Sequence, residues 1–239
     1  MVFKENFYVG YSDVGKDFCI SNTAVLKIFE NVACMHSTYA NDSMKTSASR
    51  WFLKSYRVKI HSRPEQEEKV TACTWSRGTK GVSASHEFEI YDEKGKLSIT
   101  GISNWVRVNA ETLKPERVEA EQFSAYGSEQ DKTNFGNLWI EKLKEPEEYI
   151  SEKEFYIDRN FIDANNHVNN VFYLDLASLA LPEEVYEKGE AGEFEIMYRK
   201  AIRYGETVKC LFGETENAYY VTVKSTDLSE TYAIVMLYK

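Results

Sequence analysis

The chain has 239 residues, a length that gives one large domain or two small ones. Hydrophobic residues at 43% and charged residues at 28% are ordinary for a folded protein and exclude disordered and fibrous classes. The net charge of −9 argues against a nucleic acid or an anionic membrane held by bulk charge. With 16 Tyr, 13 Phe and only 4 Pro, the composition favours strands over helices, so we expect a β-rich protein.

Two features of the sequence concern the location of the protein. The longest apolar run, residues 232–238, is far shorter than the roughly 20 residues of a membrane span, and the first ten residues contain Lys and Glu where a signal peptide is apolar. These features predict a cytoplasmic protein.

The cysteines are far apart and form no CxxC pair, which predicts buried free thiols rather than a zinc site or a disulfide framework; they are Cys19, Cys34, Cys73 and Cys210.

The two halves of the chain repeat each other. Residues 7–9 (FYV) match 155–157 (FYI) at an offset of 148, and from Tyr56 onward the offset falls to 138, which pairs Tyr56 with Phe194. Because surface loops tolerate length changes, we expect this change of ten residues after the first helix, in the polar stretch 37–50. The shared order of the matches predicts a duplicated unit.

Each repeat is predicted to contain a strand, a helix and then several long strands. In the first repeat, the spacing i, i+3, i+4, i+7 predicts one apolar helix face, formed by Val25, Ile28, Phe29 and Val32. The alternation of apolar and polar residues that follows predicts antiparallel strands and a hairpin turn. The strands are expected over 56–60, 88–90 and 99–108, and the turn over 92–95.

The second repeat has the same order of elements. Its helix stripe is formed by Val168, Val171, Phe172, Leu176 and Leu179. Its strands are predicted over 194–198, 207–212, 219–224 and 231–238. Between the repeats, helical spacing predicts a connector helix lying on a sheet; the apolar residues involved are Phe135, Leu138, Trp139 and Leu143.

One helix followed by four or five antiparallel strands, occurring twice, predicts an α+β fold. The expected architecture is two tandem hotdog domains, each an antiparallel sheet wrapped around a central helix, because pairing two such sheets removes an exposed edge from each. The predicted boundaries are 1–119 for the N-terminal hotdog, 120–150 for a connector with a helix, and 151–239 for the C-terminal hotdog. A single large antiparallel barrel with helical insertions is the alternative.

The densest polar stretch is DANNHVNN, residues 163–170, between a predicted strand and a helix expected to begin near Val168. Asn and Asp cap helices and form tight turns, but capping requires one or two such residues, not six. His167 can move a proton near neutral pH, and Asp163 can orient it, activate water or attack directly. The backbone N–H groups of Val168 and Asn169 would lie at the helix N-terminus, where they can stabilise an oxyanion.

This stretch resembles the active-site segment of the acyl-ACP thioesterases, the plant-type fatty acyl-ACP thioesterases and their bacterial relatives. The matching pattern is Asp163-x-Asn165-x-His167-Val168-Asn169-Asn170-x-x-Tyr173. Further similarity follows in the family's order, at Trp51, His61, Thr74-Trp75, Ser103-x-Trp105-Val106 and Tyr198-Arg199-Lys200. The resemblance spans nearly the whole chain, and the tandem layout distinguishes it from single-hotdog acyl-CoA thioesterases with similar segments.

The resemblance implies a thioester hydrolase that releases fatty acid from acyl carrier protein in fatty acid biosynthesis, with no metal or other cofactor. It implies that the C-terminal hotdog supplies Asp163, Asn165 and His167 as catalytic residues, and that the N-terminal hotdog helps to hold the acyl chain. The family also has a Glu shortly after its Tyr-Arg-Lys segment, where this chain has Ala201. That departure keeps open a non-catalytic acyl-binding hotdog protein. An acyl-CoA thioesterase is a second alternative, because the reacting bond is the same and only the carrier differs.

The expected partner is an acyl carrier protein carrying a fatty acyl chain, with no nucleic acid and no membrane, and a homodimer is left open. Five basic side chains of the first repeat either contact this acidic carrier or form a solvated strand face; they are Arg50, Lys54, Arg57, Arg77 and Lys80. His36, His61 and His86 lack metal-ligand spacing, so structural or surface roles are expected for them.

Overall fold

The computed structural model describes all 239 residues, and the chain separates into two compact units, Met1–Ile140 and Glu141–Lys239. The boundary between the units falls inside the predicted connector, residues 120–150. Most of this connector therefore belongs to the first unit. No helix in either unit combines the length and the apolar character that crossing a membrane requires.

Unit 1 is a five-stranded antiparallel sheet with one long and one short helix. Its elements are β1 (Phe3–Tyr8), α1 (Asn22–Tyr39), β2 (Ser49–Ile60), β3 (Lys69–Lys80), β4 (Ser83–Tyr91), β5 (Leu97–Asn109) and α2 (Ala120–Ala125). The strand order is β1-β3-β4-β5-β2. The predicted strands and hairpin turn are confirmed: the Asp92 N–H donates to the Lys96 carbonyl at 2.9 Å, and Gly95 adopts the positive φ of 77° that closes the turn.

Helix α1 packs its apolar face on the sheet of unit 1, as its residue spacing predicts. Ser21 caps the helix, because its side chain accepts a hydrogen bond from the Ala24 N–H at 3.2 Å. Phe29 is fully buried and stacks on Phe88 of β4, with the ring centroids 4.5 Å apart. Burying one such side chain stabilises the fold by about 1.5–3 kcal/mol. This helix is therefore the core of unit 1.

The predicted connector helix is wrong. Residues 128–150 contain no helix, and the segment near Phe135 follows β3 and β4 in an irregular path. Its backbone is held by polar groups of the sheet: the fully buried Glu87 accepts hydrogen bonds from the Thr133 hydroxyl (2.8 Å) and the Asn134 N–H (2.6 Å). These hydrogen bonds to the sheet replace the internal hydrogen bonds of a helix. The prediction was wrong because it used only the spacing of apolar residues.

Arg77 also belongs to this arrangement, which excludes it from the predicted carrier-binding set. Its guanidinium pairs with Glu87 at 2.8 Å and donates to the Gln130 carbonyl, and its side chain is only 9% exposed. A buried carboxylate needs such a partner, since an unpaired buried charge is strongly destabilising. Arg77 is thus a structural residue.

Unit 2 repeats the arrangement of unit 1. Its elements are β6 (Ser151–Tyr156), α3 (Phe172–Ala180), α4 (Glu183–Tyr186), β7 (Glu193–Tyr198), β8 (Thr207–Glu214), β9 (Ala218–Ser225) and β10 (Thr231–Tyr238). The strand order is β6-β8-β9-β10-β7, which is the order of unit 1 with each strand replaced by its counterpart. The predicted repeat and the four predicted strands are confirmed.

The helix of unit 2 is shorter than the prediction. It begins at Phe172 rather than near Val168, because Val168 instead forms an isolated antiparallel bridge with Ile162. Leu179, placed in the apolar stripe, is 54% exposed. At nine residues, α3 has half the length of the 18-residue α1, so part of the change in repeat offset lies within the helix and not only after it.

The cysteine prediction is correct for two of the four thiols. Cys73 and Cys210 are buried and free, and burial raises the pKa of the Cys210 thiol to about 12. Cys19 is only half-buried, and Cys34 is exposed. Cys34 is exposed because it lies off the buried face of α1, which the apolar stripe defines.

Candidate functional site

The polar stretch of unit 2 forms a closed loop between β6 and α3. The Ile162–Val168 bridge closes residues 163–167, and the Asp163 N–H donates to the His167 carbonyl at 2.8 Å. Asn166 adopts a positive φ of 60°, a conformation that Asn tolerates better than most residues. The loop therefore has a defined shape before any ligand binds.

Asp163 is at the centre of this loop. Its Oδ1 accepts hydrogen bonds from the backbone N–H groups of Asn165 (2.7 Å) and His167 (3.4 Å), and its Oδ2 accepts from the Asn165 side chain at 3.3 Å. The half-buried His167 imidazole makes no hydrogen bond to the rest of the protein. The structure thus brings the three predicted site residues together and leaves the imidazole available to a substrate or a water molecule.

Unit 1 contains the same loop with different side chains. Val14 bridges Ile20, the Gly15 N–H donates to the Cys19 carbonyl at 2.9 Å, and Phe18 has a positive φ of 59°. At the offset of 148 residues, Gly15, Asp17 and Cys19 occupy the positions of Asp163, Asn165 and His167. The unit 1 loop also contains a carboxylate that supports the turn, because Asp17 Oδ1 accepts a hydrogen bond from the Cys19 N–H at 3.1 Å. Turn formation therefore accounts for one carboxylate in such a loop, but the loop shape requires neither the Asn165 side chain nor the His167 imidazole.

The amides of Val168 and Asn169, predicted to stabilise an oxyanion, are already engaged. The Val168 N–H donates to the Ile202 carbonyl at 2.8 Å, and the Asn169 N–H donates to the Phe161 carbonyl at 2.9 Å. A group whose hydrogen is committed to one acceptor is unavailable to another. Asn170 is half-buried, and its backbone N–H, in contrast, has no acceptor within the protein. Sequence reasoning missed this donor, because the partners of backbone amides are not visible in a sequence.

Ala201 lies beside the loop, and unit 1 shows what a longer side chain does there. Its counterpart at the offset of 138 residues is Arg63. The Arg63 guanidinium donates to the Ile20 carbonyl at 2.8 Å and to the Asn22 side chain at 2.9 Å. A long side chain at this position therefore reaches the loop, whereas Ala201 is exposed and its methyl group is too short to do so.

Two tyrosines support the loop from the protein interior. The Tyr198 hydroxyl donates to the Asn170 carbonyl at 3.0 Å, and the Tyr198 and Tyr173 rings meet edge to face at 5.2 Å. Burial, together with the negative charge of Glu206, raises the pKa of Tyr173, so this phenol stays protonated. Tyr173 is part of the sequence motif, but its supporting role was not predicted.

Unit 1 contains a small, mostly apolar cleft with a cavity volume of about 60 Å³. Its walls come from α1, the sheet and the segment after β5, and they include Trp51, Ala84, Trp105, Phe123 and Tyr126. A cleft lined mainly by apolar side chains with a few polar groups is the usual kind of site for an apolar ligand. Neither unit has a cluster of three or more His, Cys, Asp or Glu side chains that could hold a metal ion.

The duplicated units and the polar loop define the class of the protein, a tandem hotdog protein with a thioesterase-like site segment. Residues 1–126 match the acyl-ACP thioesterase N-terminal domain, and residues 144–235 match the acyl-ACP thioesterase C-terminal domain. The chain therefore belongs to the acyl-ACP thioesterase family, as its motifs predict.

Curated relatives are similar at low identity. The chloroplastic oleoyl-acyl carrier protein thioesterase 2 of Arabidopsis thaliana is 23% identical, over 96% of this chain and 68% of the relative. The chloroplastic dodecanoyl-[acyl-carrier-protein] hydrolase of Cinnamomum camphora is 24% identical, over 84% of this chain and 56% of the relative. The chain spans about half to two thirds of the length of the curated relatives it matches.

Solved structures confirm the predicted fold. An acyl-ACP thioesterase from Bacteroides thetaiotaomicron has a TM-score of 0.84 at 20% identity, covering 100% of this chain and 98% of that one. The 12:0-ACP thioesterase from Umbellularia californica has a TM-score of 0.83 at 16% identity, with coverage of 100% and 97%. The α+β fold of two tandem hotdogs is therefore correct, and the single-barrel alternative is wrong.

Proposed function

We propose that this protein hydrolyses fatty acyl-ACP thioesters to free fatty acid and acyl carrier protein. The observation that carries the proposal is the loop of unit 2, in which Asp163 and Asn165 are in contact and the His167 imidazole is free of protein partners. Unit 1 holds the acyl chain, and its apolar cleft supports that role. The acidic chain suggests no nucleic-acid partner, and a cytoplasmic location is part of this proposal.

In the proposed reaction, a water molecule attacks the thioester carbonyl carbon and gives its proton to the His167 imidazole. The C–S bond then breaks, and the departing thiolate of the carrier takes this proton from the imidazolium. The Asn165 side chain positions the substrate or the water, and the unengaged Asn170 amide is the donor available to the developing oxyanion. Every bond that forms or breaks is thus served by a group of one loop.

Attack by Asp163 itself is the alternative route. Its Oδ2 accepts a hydrogen bond only from the Asn165 side chain, so this oxygen has a free lone pair for attack. This route would form an acyl–carboxylate anhydride that water then cleaves. Single-turnover hydrolysis in oxygen-18 water distinguishes the two. Label in the Asp163 carboxylate indicates attack by Asp163, whereas label only in the fatty acid, with no acyl-protein detected by mass spectrometry after acid quenching, indicates direct attack by water.

The proposed function is tested by incubating the purified protein with a series of acyl-ACPs and measuring the fatty acid released. Matched acyl-CoA substrates in the same assay test the acyl-CoA alternative, since the reacting bond is the same and only the carrier differs. Tight binding of acyl-ACP without release of acid would instead support a non-catalytic acyl-binding protein, an alternative suggested by Ala201.

Asp163→Asn is expected to lower the rate of acyl-ACP hydrolysis by about a hundredfold while barely changing the melting temperature. Asparagine still offers an oxygen to the Asn165 and His167 backbone N–H groups, but it lacks the negative charge that would stabilise the His167 imidazolium in the water route or attack the thioester in the alternative route. The matched control is Asp17→Asn in the corresponding loop of unit 1, which should leave hydrolysis unchanged. A large loss of stability with unchanged activity per folded molecule would assign Asp163 a structural role only.

Ala201→Glu, which restores the family's residue, is expected to increase the hydrolysis rate on acyl-ACP. Arg63 shows that a long side chain at this position reaches the loop, so the added carboxylate can help to orient water or His167. The measurement compares turnover and melting temperature with those of the unmodified protein. Ala201→Gln is the control for side-chain length, and a well-folded Ala201→Glu protein with unchanged or lower turnover would show that the absent carboxylate does not limit catalysis.

A further inference from the structure

The cleft of unit 1 contains one polar side chain that its apolar lining does not explain. His86, on β4, is among the lining residues, beside Ala84 of the same strand and opposite Tyr126. Its ring lies 5.5 Å from the Tyr126 ring and 5.7 Å from the ring of the fully buried His36. A histidine is therefore built into the wall of a site that would bind a plain hydrocarbon better without it.

The hydrogen-bonding capacity of His86 is not used within the protein. Its Nδ1 is buried and has no partner. Its Nε2 also has no protein partner, but it is not sealed from solvent, so it is the ring nitrogen that can reach the cleft. His36 does not form a hydrogen bond with His86. The His36 Nε2 contacts the Tyr126 carbonyl at 3.2 Å, and the His36 Nδ1 has no partner.

His86 is neutral at physiological pH. Burial, with a smaller contribution from the neighbouring His36, lowers the pKa of His86 to about 3, and burial lowers the pKa of His36 to about 4. A neutral imidazole has one N–H and one bare nitrogen. Because a buried N–H without an acceptor is rarer than a buried bare nitrogen, the proton is better placed on Nε2, where a ligand can accept it.

A saturated chain that fills the cleft would remove water from Nε2 and leave both ring nitrogens without partners. Such a loss is costly, because a buried polar group that loses its only hydrogen-bond partner pays its full desolvation penalty. An oxygen atom on the chain removes this penalty by accepting the hydrogen bond. We therefore propose that the cleft of unit 1 selects acyl chains that carry an oxygen substituent, hydroxyl or keto, and that His86 recognises this oxygen.

This inference rests on the proposed function, in that it assigns the cleft of unit 1 to the acyl chain, but it is tested by binding alone. Trp51 and Trp105 line the cleft, so their fluorescence reports occupancy without any hydrolysis. The probes are free fatty acids of one chain length: the unsubstituted acid, a series hydroxylated at successive positions, and the corresponding keto acids. Calorimetry on the same protein gives the dissociation constants.

We expect at least one oxygenated acid to bind about threefold to tenfold more tightly than the unsubstituted acid, the range given by one net hydrogen bond. His86→Phe should abolish this preference and bind the unsubstituted acid at least as well, whereas His86→Gln, which can still donate, should retain part of it. His61→Phe is the matched control and should keep the full preference, because His61 lies outside the cleft lining and contacts Thr100.

Two results would overturn the inference. The unsubstituted acid could bind the unmodified protein at least as tightly as every oxygenated acid, or the preference could survive in a folded His86→Phe protein. Comparison of the hydroxyl and keto series separates the two substituents. Failure here, together with normal release of fatty acid from saturated acyl-ACP, would leave the proposed hydrolase function intact and remove only the selectivity assigned to His86.

Discussion

His167→Ala should lower the rate of acyl-ACP hydrolysis by about a hundredfold or more, the usual contribution of a general acid–base residue. The imidazole makes no hydrogen bond to the protein, so its removal takes away chemistry and little structure. The loop depends on the backbone of His167, which alanine retains, because the contacts of this residue with Asp163 involve the main chain. Steady-state hydrolysis and thermal unfolding of the same preparation measure the two effects separately.

Cys19→Ala is the matched control for this substitution. Cys19 occupies the position of His167 in the loop of unit 1, so the same truncation there tests whether any change in such a loop lowers activity. We expect Cys19→Ala to retain nearly full activity. Near-normal turnover in the His167→Ala protein would remove His167 from the mechanism and favour a reaction that depends on Asp163 alone.

Gly101→Ala is expected to lower the stability of the protein clearly. Gly101 lies in β5 directly under the Phe29 ring of α1, and an added Cβ would lie only 2.9 Å from the Phe29 Cζ. Phe29 is fully buried, so its ring can move only by disturbing the rest of the core. Overpacking of this kind typically costs about 1–3 kcal/mol. Thermal and denaturant unfolding should show a clear loss of stability.

Gly192→Ala is the control, because an added Cβ at Gly192 meets no atom within 4 Å. The cause is tested further by the double variant Gly101→Ala with Phe29→Leu. A smaller side chain on the helix makes room for the new methyl group, so the double variant should lose less stability than the sum of the losses in the two single variants. An unchanged melting temperature in the Gly101→Ala protein would contradict the close contact.

The repeat and most strands could be predicted from the sequence, because alternation and a shared residue order are local signals. Helix α1 was predicted correctly because its four apolar residues all face one sheet and are buried. The connector was misassigned for the opposite reason. The spacing of Phe135 and Leu138 is helical, but Glu87 and Asn104, distant in sequence, supply hydrogen bonds that hold this backbone outside a helix.

The site shows the same division between local and distant information. Asp163, Asn165 and His167 were found because polar side chains are visible in a sequence, and their structural proximity follows from one short loop. The roles of the Val168 and Asn169 amides could not be predicted correctly. Val168 donates to Ile202, 34 residues away, and only the folded chain shows that this hydrogen is already taken.

The buried Glu87 determines how much of the chain must be synthesised before unit 1 can fold stably. The last strand of unit 1, β5, ends at Asn109, yet two of the hydrogen-bond donors to Glu87 come from Thr133 and Asn134. Until these residues leave the ribosome, a carboxylate at the centre of the sheet has only Arg77 as a partner. The nascent first unit should therefore resist proteolysis only after residue 140 has emerged, and a fragment that stops at residue 119 should be far less stable than one that ends at 140.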